Sequence, residues 1–322
     1  MNLTEQLKSA VIEGYTLNRN DALALHRAPL EELCAAADEI RMHFCSNAFD
    51  LCTIINGKSG RCSENCKYCA QSASYQTKIE EYPLLDSVEI QQEAHSNENQ
   101  GVLRFSIVTS GRTLSDAELD TLCEIYRNLR NGCHMTLCAS HGLLSLEQFR
   151  KLKEAGVTRY HNNLETSRRY FANICTTHTY DDKIITINNA LAAGLEVCSG
   201  GIMGLGETAE DRIDMAFDLK ALGIRSIPVN ILNPIPGTAL EKALPLTANE
   251  VRRVIAIYRF ILPDAAIRLA GGRGLLPDKG RAAFQSGANA AISGDMLTTA
   301  GISIATDLSL LQELQFEVKR CK

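Results

Sequence analysis

Three cysteines, Cys62, Cys66 and Cys69, lie within one segment of eight residues. A cubane [4Fe–4S] cluster normally takes four cysteine ligands, so three leave one iron with an open coordination site. An open metal site binds cofactors or substrates, whereas a ferredoxin closes all four positions. Zinc is the alternative metal, but no second cysteine or histidine pair stands close enough to complete a zinc site. The spacing therefore predicts a reactive iron–sulfur cluster.

Length, charge and cysteine content narrow the class of protein. The 322 residues suffice for a (β/α)8 barrel of roughly 250 residues and an extension of about 70. A net charge of −5 argues against a nucleic-acid partner, because phosphate binding favours a basic face. We find neither the apolar core of a signal peptide nor a stretch long enough to cross a bilayer. Twelve cysteines in such a chain favour metal ligands and buried thiols over disulfides. We expect a cytoplasmic protein with no membrane partner.

The hydrophobic pattern divides the chain into two parts. Apolar residues at helical spacing predict helices over residues 1–44, as an N-terminal extension. From residue 45, short apolar segments alternate with longer amphipathic ones. The predicted strands are residues 51–56, 103–109, 134–138, 159–163, 196–200, 226–231, 266–269 and 290–292, and the predicted helices between them include 116–129, 146–155, 181–193, 209–222 and 248–260. Eight such repeats predict an α/β fold, a parallel (β/α)8 TIM-type barrel over residues 45–322 with a C-terminal segment.

Alternation along each strand sorts side chains between the lumen and the helices. The polar residues predicted to face the lumen are Arg104, Ser106, His134, Thr136, Cys138, Asn230 and Arg268. Buried polar groups cost free energy unless they are paired, so this lumen predicts a polar or metallic occupant.

The loop that holds the three cysteines reads CSENCKYC and has an aromatic residue, Tyr68, before the last cysteine. This pattern resembles the CxxxCxΦC signature of the radical-SAM superfamily. The resemblance implies that the open iron binds the amino and carboxylate groups of S-adenosylmethionine. It also implies that one electron from the reduced cluster cleaves this cofactor to methionine and a 5′-deoxyadenosyl radical.

From about residue 50 to residue 300 the chain resembles the biotin synthase family. The matching stretches are residues 62–71 (CSENCKYCAQ), 160–167 (YHNNLETS), 176–180 (TTHTY), 197–208 (VCSGGIMGLGET), 227–231 (IPVNI), 267–272 (IRLAGG) and 297–299 (LTT). The resemblance implies radical insertion of sulfur into dethiobiotin, with sulfur supplied by an auxiliary iron–sulfur cluster. It also implies a low-potential electron donor, such as flavodoxin or ferredoxin, and a homodimer.

The resemblance carries roles to individual residues. Cys62, Cys66 and Cys69 would hold the [4Fe–4S] cluster that cleaves S-adenosylmethionine. The residues that would contact this cofactor are Tyr68, Asn163, Glu165, Lys183, Gly201, Ile202, Gly204 and Glu207. The residues that would contact dethiobiotin are Asn163, Asn230, Thr298 and Thr299. Glu165 and Lys183 stand where aspartate and arginine are more familiar in the family, which changes reach and hydrogen-bonding geometry.

The auxiliary site departs from the better-known family pattern. There, three cysteines and an arginine hold a [2Fe–2S] cluster; this chain keeps Cys198 and Arg268 but has Ser106 and His134 at the other two places. Two further thiols, Cys52 and Cys138, are predicted to face the lumen. Alternate strands of a barrel contribute to the same layer. We therefore expect the family branch with a [4Fe–5S] cluster, with Cys52 and Cys198 as ligands and Cys138 or His134 as the third.

Two other functions fit parts of the sequence. A related radical-SAM mutase or lyase would share the barrel and lack sulfur insertion, as the changes at Ser106 and His134 would allow. A non-catalytic iron–sulfur or zinc scaffold would need neither the glycine-rich segment near residue 200 nor a polar lumen.

Overall fold

Parallel strands of the computed structural model, which describes residues 2–321, close into a barrel. The strands are β1 Ala48–Lys58, β2 Arg104–Thr109, β3 Thr136–Ser140, β4 Arg159–His161, β5 Glu196–Cys198, β6 Gly201–Met203, β7 Ser226–Ile231, β8 Ala266–Leu269, β9 Ala290–Ser293 and β10 Glu317–Val318. Eight of them form the closed ring in the order β1-β2-β3-β4-β5-β7-β8-β9, with β9 pairing back to β1. The short strand β6 pairs with β7, and β10 pairs with β1. The predicted (β/α)8 barrel is confirmed.

Helices connect successive strands and pack on the outside of the ring. They are α1 Leu3–Ile12, α2 Arg19–His26, α3 Leu30–Cys45, α4 Ser87–Asn99, α5 Asp116–Gly132, α6 Leu146–Ala155, α7 Tyr180–Ala192, α8 Ala209–Ala221, α9 Ala248–Ile261, α10 Arg281–Phe284 and α11 Ile304–Glu313. Helices α5 to α9 each begin at a serine or threonine N-cap that forms a capping box with the third helical residue. These caps satisfy free backbone N–H groups and fix where each loop ends.

Three helices precede the barrel, as predicted for residues 1–44. Helix α3 packs along α9, and both terminal nitrogens of Arg252 donate hydrogen bonds to the Glu31 carboxylate, at 2.8 and 2.7 Å. Leu33 and Ile40 are buried in the same hydrophobic core as the barrel helices. The division of the chain at residue 45 stays a prediction. No helix in residues 2–321 is both long and apolar enough to cross a bilayer.

The strand register places lumen residues in layers. Cys52 pairs with Arg104, Ser106 with Cys138, His161 with Cys198, Pro228 with Arg268, and Ile292 again with Cys52. A path that follows these pairs once around the ring must advance by two residues along the chain on each of β2, β4, β7 and β9. Four such steps give a shear of eight, the value of TIM barrels. The thiols Cys52, Cys138 and Cys198 and the guanidinium of Arg268 therefore belong to one layer.

The structure corrects several element boundaries. Strand β3 begins at Thr136, because α5 runs to Gly132 and Cys133 is its C-cap. Strands β4 and β5 are three residues long, since Asn162, Asn163, Ser199 and Gly200 lie in the turns that follow them. Strand β1 is longer than predicted, and α4 was not among the predicted helices.

One glycine lets two strand ends approach closely. Gly272 follows β8 with φ +76°, and an added Cβ would lie 1.9 Å from the carbonyl oxygen of Ile231. Gly194 has a similar φ of +79°, but an added Cβ would meet no atom within 4 Å. Comparing substitutions at the two positions therefore distinguishes the free-energy cost of a left-handed backbone from the free-energy cost of a steric clash.

We predict that Gly272→Ala lowers the free energy of unfolding more than Gly194→Ala does. The left-handed conformation alone costs about 1–2 kcal/mol for an alanine, and only Gly272→Ala must also displace the end of β7. Urea unfolding of the two variants beside the parent protein measures both losses. Equal losses would contradict the close approach of the two strand ends.

Candidate active site

A cavity of about 410 Å³ runs along the inside of the barrel and receives side chains from all eight strands of the ring. Its mouth lies at the carboxyl ends of the strands, where the loops after β1, β4 and β9 meet. Catalytic residues of TIM barrels lie at this end. Its inner end is formed by side chains within the strands themselves. The cavity therefore joins a site built on loops to a site built on strands.

The cysteine loop after β1 is closed by its own backbone. Cys62 donates its N–H to Gln71 O at 3.0 Å, Ala73 to Cys62 O at 2.8 Å, and Cys69 to Cys66 O at 3.0 Å. Cys62, Cys69 and the aromatic Tyr68 line the mouth of the cavity. Three partly exposed thiols on one closed loop fit an iron–sulfur cluster, because thiolates select soft metal centres. Burial raises the pKa of Cys69 to about 11, so binding to a metal centre would require the loss of its proton.

A second segment, residues 174–178, contacts this loop, and the sequence assigned it no role beyond the family resemblance of residues 176–180. Cys175 Sγ lies 3.7 Å from Cys66 Sγ and 3.3 Å from His178 Nδ1. The carboxylate of Glu64 accepts from Thr177 Oγ1 at 2.7 Å and contacts the His178 ring. The TTHTY stretch carried the family resemblance, but no local pattern in the sequence indicated this contact.

The inner end of the cavity holds the auxiliary-site residues predicted from the strands. Cys52, Cys138, Cys198 and Arg268 are buried, and all four line the cavity. Ser226 Oγ donates to Cys198 Sγ at 3.2 Å. The predicted inward direction of these four side chains is confirmed. Their role as ligands stays a prediction.

A buried ion-pair network surrounds this layer. Asp50 accepts from Arg104 Nε at 2.9 Å and from Arg268 Nη2 at 3.0 Å. Arg268 Nη1 also donates to the carbonyls of Asp50 and Ala291, each at 2.9 Å. Burial alone would raise the pKa of Asp50, but the charges of Arg268 and Arg104 hold it below its ordinary value. Two guanidinium groups share one carboxylate, so the inner end is positively charged.

The three thiols differ in pKa within this charged layer. Burial alone would raise the pKa of Cys198, but the hydrogen bond and charge of His161, with the charges of Arg268 and Arg159, lower it to about 6. Burial raises the pKa of Cys52 to about 12 and also raises that of Cys138. Arg159 and His161 were missed as site residues, although alternation along the fourth strand could have found them.

The predicted cofactor residues Asn163, Glu165, Lys183 and Ile202 line the outer part of the cavity. Glu165 has a left-handed φ of +72° and is held by backbone bonds to Gly200 at 3.0 Å and Ile202 at 2.9 Å. Asn163 joins the same turn through its side chain, which accepts from the Gly200 N–H at 3.1 Å. Such strain is characteristic of functional sites.

The glycine-rich run supports this turn from outside the cavity. An added Cβ at Gly201 would lie 2.4 Å from the Glu165 carbonyl oxygen, so only glycine fits there. Glu207 accepts from the Gly204 N–H at 2.8 Å and from Arg212 Nε at 2.6 Å. Gly201, Gly204 and Glu207 are not among the cavity-lining residues of the described chain. Of the predicted cofactor residues in this run, the structure brings only Ile202 to the cavity.

The predicted substrate residues also reach the cavity. Asn230 is fixed by the Gly271 N–H at 2.9 Å and by the Gly201 carbonyl at 3.1 Å. Thr298 and Thr299 line the mouth on the loop after β9. Asn56 donates to the Leu297 carbonyl at 2.8 Å and so ties this loop to β1.

The prediction that His134 faces the lumen is wrong. It precedes β3 at the opposite end of the barrel, and its side chain is exposed. Its backbone N–H donates to Glu98 Oε1 at 2.5 Å. Ser106, by contrast, does line the cavity.

Comparison with protein families agrees with the loop and the barrel. Residues 58–219 match the model of the radical SAM superfamily, and residues 228–317 match the Biotin and Thiamin Synthesis associated domain. The crystal structure of methylornithine synthase superposes with a TM-score of 0.85 at 20% identity, covering 98% of this chain and 97% of that chain. That likeness shows the fold. The chain is thus a radical-SAM enzyme, with a [4Fe–4S] cluster and S-adenosylmethionine as cofactors.

Full-length relatives show which family within this superfamily the chain belongs to. The biotin synthase of Akkermansia muciniphila is 60% identical over 319 residues, covering 99% of each chain. A biotin synthase of Clostridium botulinum is 58% identical over 318 residues, covering 99% of this chain and all of the relative. The chain belongs to the biotin synthase family of radical-SAM sulfurtransferases.

We predict that Asp50→Asn lowers the free energy of unfolding by about 3–5 kcal/mol, because it leaves two buried guanidinium groups without their counter-charge. The matched control is Asp264→Asn, which breaks the exposed pair with Arg225 and should cost less than about 1 kcal/mol. Urea unfolding under anaerobic conditions measures both. A similar small loss for the two variants would contradict the structural role of Asp50.

Proposed function

We propose that this chain inserts sulfur into dethiobiotin to form biotin, and that the sulfur comes from an auxiliary [4Fe–5S] cluster held by Cys52, Cys138 and Cys198. One observation carries the proposal: these three thiols form a layer at the inner end of the cavity whose mouth holds the radical-SAM cysteine loop. A substrate bound between them would meet a radical source on one side and a sulfur source on the other.

The outer end would hold the cofactors. Cys62, Cys66 and Cys69 would bind the [4Fe–4S] cluster, which with S-adenosylmethionine supplies the primary carbon radical needed to break unactivated C–H bonds. Asn163, Glu165 and Lys183 line the adjoining wall. An acidic and a basic side chain on one wall suit the hydroxyl groups of a ribose and the carboxylate of an amino acid. The rigid turn around Glu165 would fix their orientation.

Asn230, Thr298 and Thr299 would hold dethiobiotin. The Asn230 amide is fixed by two backbone groups and stands between the mouth and the inner layer. Its position suits the ureido ring, which carries both donors and acceptors. The hydroxyls of Thr298 and Thr299 lie at the mouth, where the carboxylate end of the substrate would remain close to water.

The inner layer suits an anionic cluster. Thiolates and sulfide carry negative charge, and Arg104 and Arg268, which share one carboxylate, supply positive charge beside them. The auxiliary group would provide the sulfur atom, while Asp50 keeps the Arg268 guanidinium in a fixed position against the layer. The [2Fe–2S] ligand set of the better-known family members is incomplete here, because Ser106 replaces one thiol and His134 lies outside the cavity.

The remaining parts of the proposal rest on the family alone. A low-potential donor such as flavodoxin or ferredoxin would reduce the cluster, and the chain would act as a homodimer in the cytoplasm. A radical-SAM mutase or lyase without sulfur insertion would leave the layer of three buried thiols without a role.

We predict that the iron- and sulfide-loaded protein, incubated anaerobically with dethiobiotin, S-adenosylmethionine and a low-potential reductant, forms biotin together with about two 5′-deoxyadenosines. Each of the two C–H bonds to be replaced requires one radical. Mass spectrometry of the products measures both compounds. Deoxyadenosine without biotin would contradict sulfur insertion and leave only the radical chemistry.

We predict that Cys52→Ala and Cys138→Ala each lose auxiliary iron and sulfide and form no biotin, yet still cleave S-adenosylmethionine. The separate cysteine loop keeps the first cluster intact in both variants. The matched control is Cys123→Ala, which removes a buried thiol of α5 outside the lumen. Iron and acid-labile sulfide analysis with Mössbauer spectra gives the readout. Full auxiliary iron and sulfide in Cys52→Ala would show that this thiol is not a ligand.

A further inference from the structure

A second group of metal-binding side chains lies at the end of the barrel where the strands begin, opposite the cavity mouth. His95 and Glu98 are one turn apart on α4, and Cys133 caps the end of α5 just before β3. Cys133 Sγ lies 3.5 Å from His95 Nδ1, and His95 Nδ1 lies 3.8 Å from Glu98 Oε2. One ligand atom from each residue lies within 4.8 Å of the others. The proposed catalytic residues include none of the three.

Two of these separations lie close to the edges of a tetrahedral zinc site. With Zn–S of about 2.3 Å and Zn–N of about 2.0 Å, the sulfur–nitrogen edge of the tetrahedron is about 3.5 Å and the nitrogen–oxygen edge about 3.3 Å. The observed 3.5 Å edge needs no adjustment, and the 3.8 Å edge needs a small rotation of the Glu98 carboxylate.

The neighbouring backbone orients the ligands. Glu98 Oε1 accepts from the His134 N–H at 2.5 Å, so the carboxylate is held while Oε2 faces His95. The His95 ring rests on Gly132, where an added Cβ would lie 3.5 Å from Cε1. Such outer contacts commonly fix the ligands of a metal site. Within residues 2–321, Glu98 forms no ion pair with a lysine or arginine.

We propose that His95, Glu98 and Cys133 form a Zn²⁺ site separate from the iron–sulfur centres. A thiolate, an imidazole and a carboxylate together favour zinc over magnesium or calcium, which take oxygen ligands. The His95 side chain is 47% exposed, so a fourth position is open to water. Bound zinc would join α4 to the connection between α5 and β3 and stabilise this end of the barrel.

The free thiol is protonated before the metal binds. Burial and the neighbouring Glu98 charge raise the pKa of Cys133 to about 11. Zinc binding at neutral pH therefore releases this proton.

The test titrates the iron- and sulfide-loaded protein with Zn²⁺ under anaerobic conditions, using a competing chelator. We expect one zinc per chain with no loss of iron, and a raised melting temperature. The His95→Ala variant removes an exposed side chain and should fold normally; we expect its zinc affinity to fall by about tenfold or more, since even the loss of an outer partner costs that much. The matched control is His43→Ala, which removes an exposed histidine of α3 and should leave zinc binding unchanged.

X-ray absorption at the zinc edge identifies the ligands without interference from iron. The parent protein should show a sulfur neighbour at about 2.3 Å, and Cys133→Ser should lose it. The proposal would be overturned by the absence of stoichiometric zinc. It would also be overturned by zinc uptake that displaces iron or that His95→Ala leaves unchanged.

Discussion

At the inner end of the lumen, one buried carboxylate pairs with two buried guanidinium groups. Asp50 on β1 joins Arg104 on β2 to Arg268 on β8, so a single charge ties together three strands of the ring. Removing three charged groups from water is expensive, and only their mutual hydrogen bonds make the arrangement tolerable. The excess positive charge that remains makes a buried layer of thiols suitable for an anionic sulfur-containing group.

The other parts of the cavity lie between this charged inner end and the mouth. The cysteine loop, the strained Glu165 turn and the two threonines lie on segments that follow strands, whereas the thiol layer belongs to the strands themselves. The strands cannot change their spacing without opening the barrel. The barrel therefore sets the distance between the cysteine loop and the thiol layer, and under the proposed function the substrate would fit between them.

Much of this could be predicted because strands have a period of two. Alternation placed Arg104, Cys138 and Arg268 in the lumen, and a short motif singled out the cysteine loop that lies at the cavity mouth. The failure at His134 came from helix length: α5 continues to Gly132, so β3 starts two residues later than its apolar pattern indicated. The contact between Cys66 and Cys175 joins residues 109 positions apart, so no local sequence pattern indicates it. No local sequence pattern indicates the pairing of Asp50 with Arg268 either.

The stagger of the strands has a consequence for how such enzymes can change. Because alternate strands deliver side chains to one layer, point substitutions at lumen positions are enough to move a metal centre around the barrel axis. No insertion, deletion or change of connectivity is needed. Under the proposed ligand set, a serine at position 106 with thiols at positions 52 and 138 would be such a migration of ligands within a fixed scaffold. The proposed sulfur donor could then differ between family members without a change in the backbone.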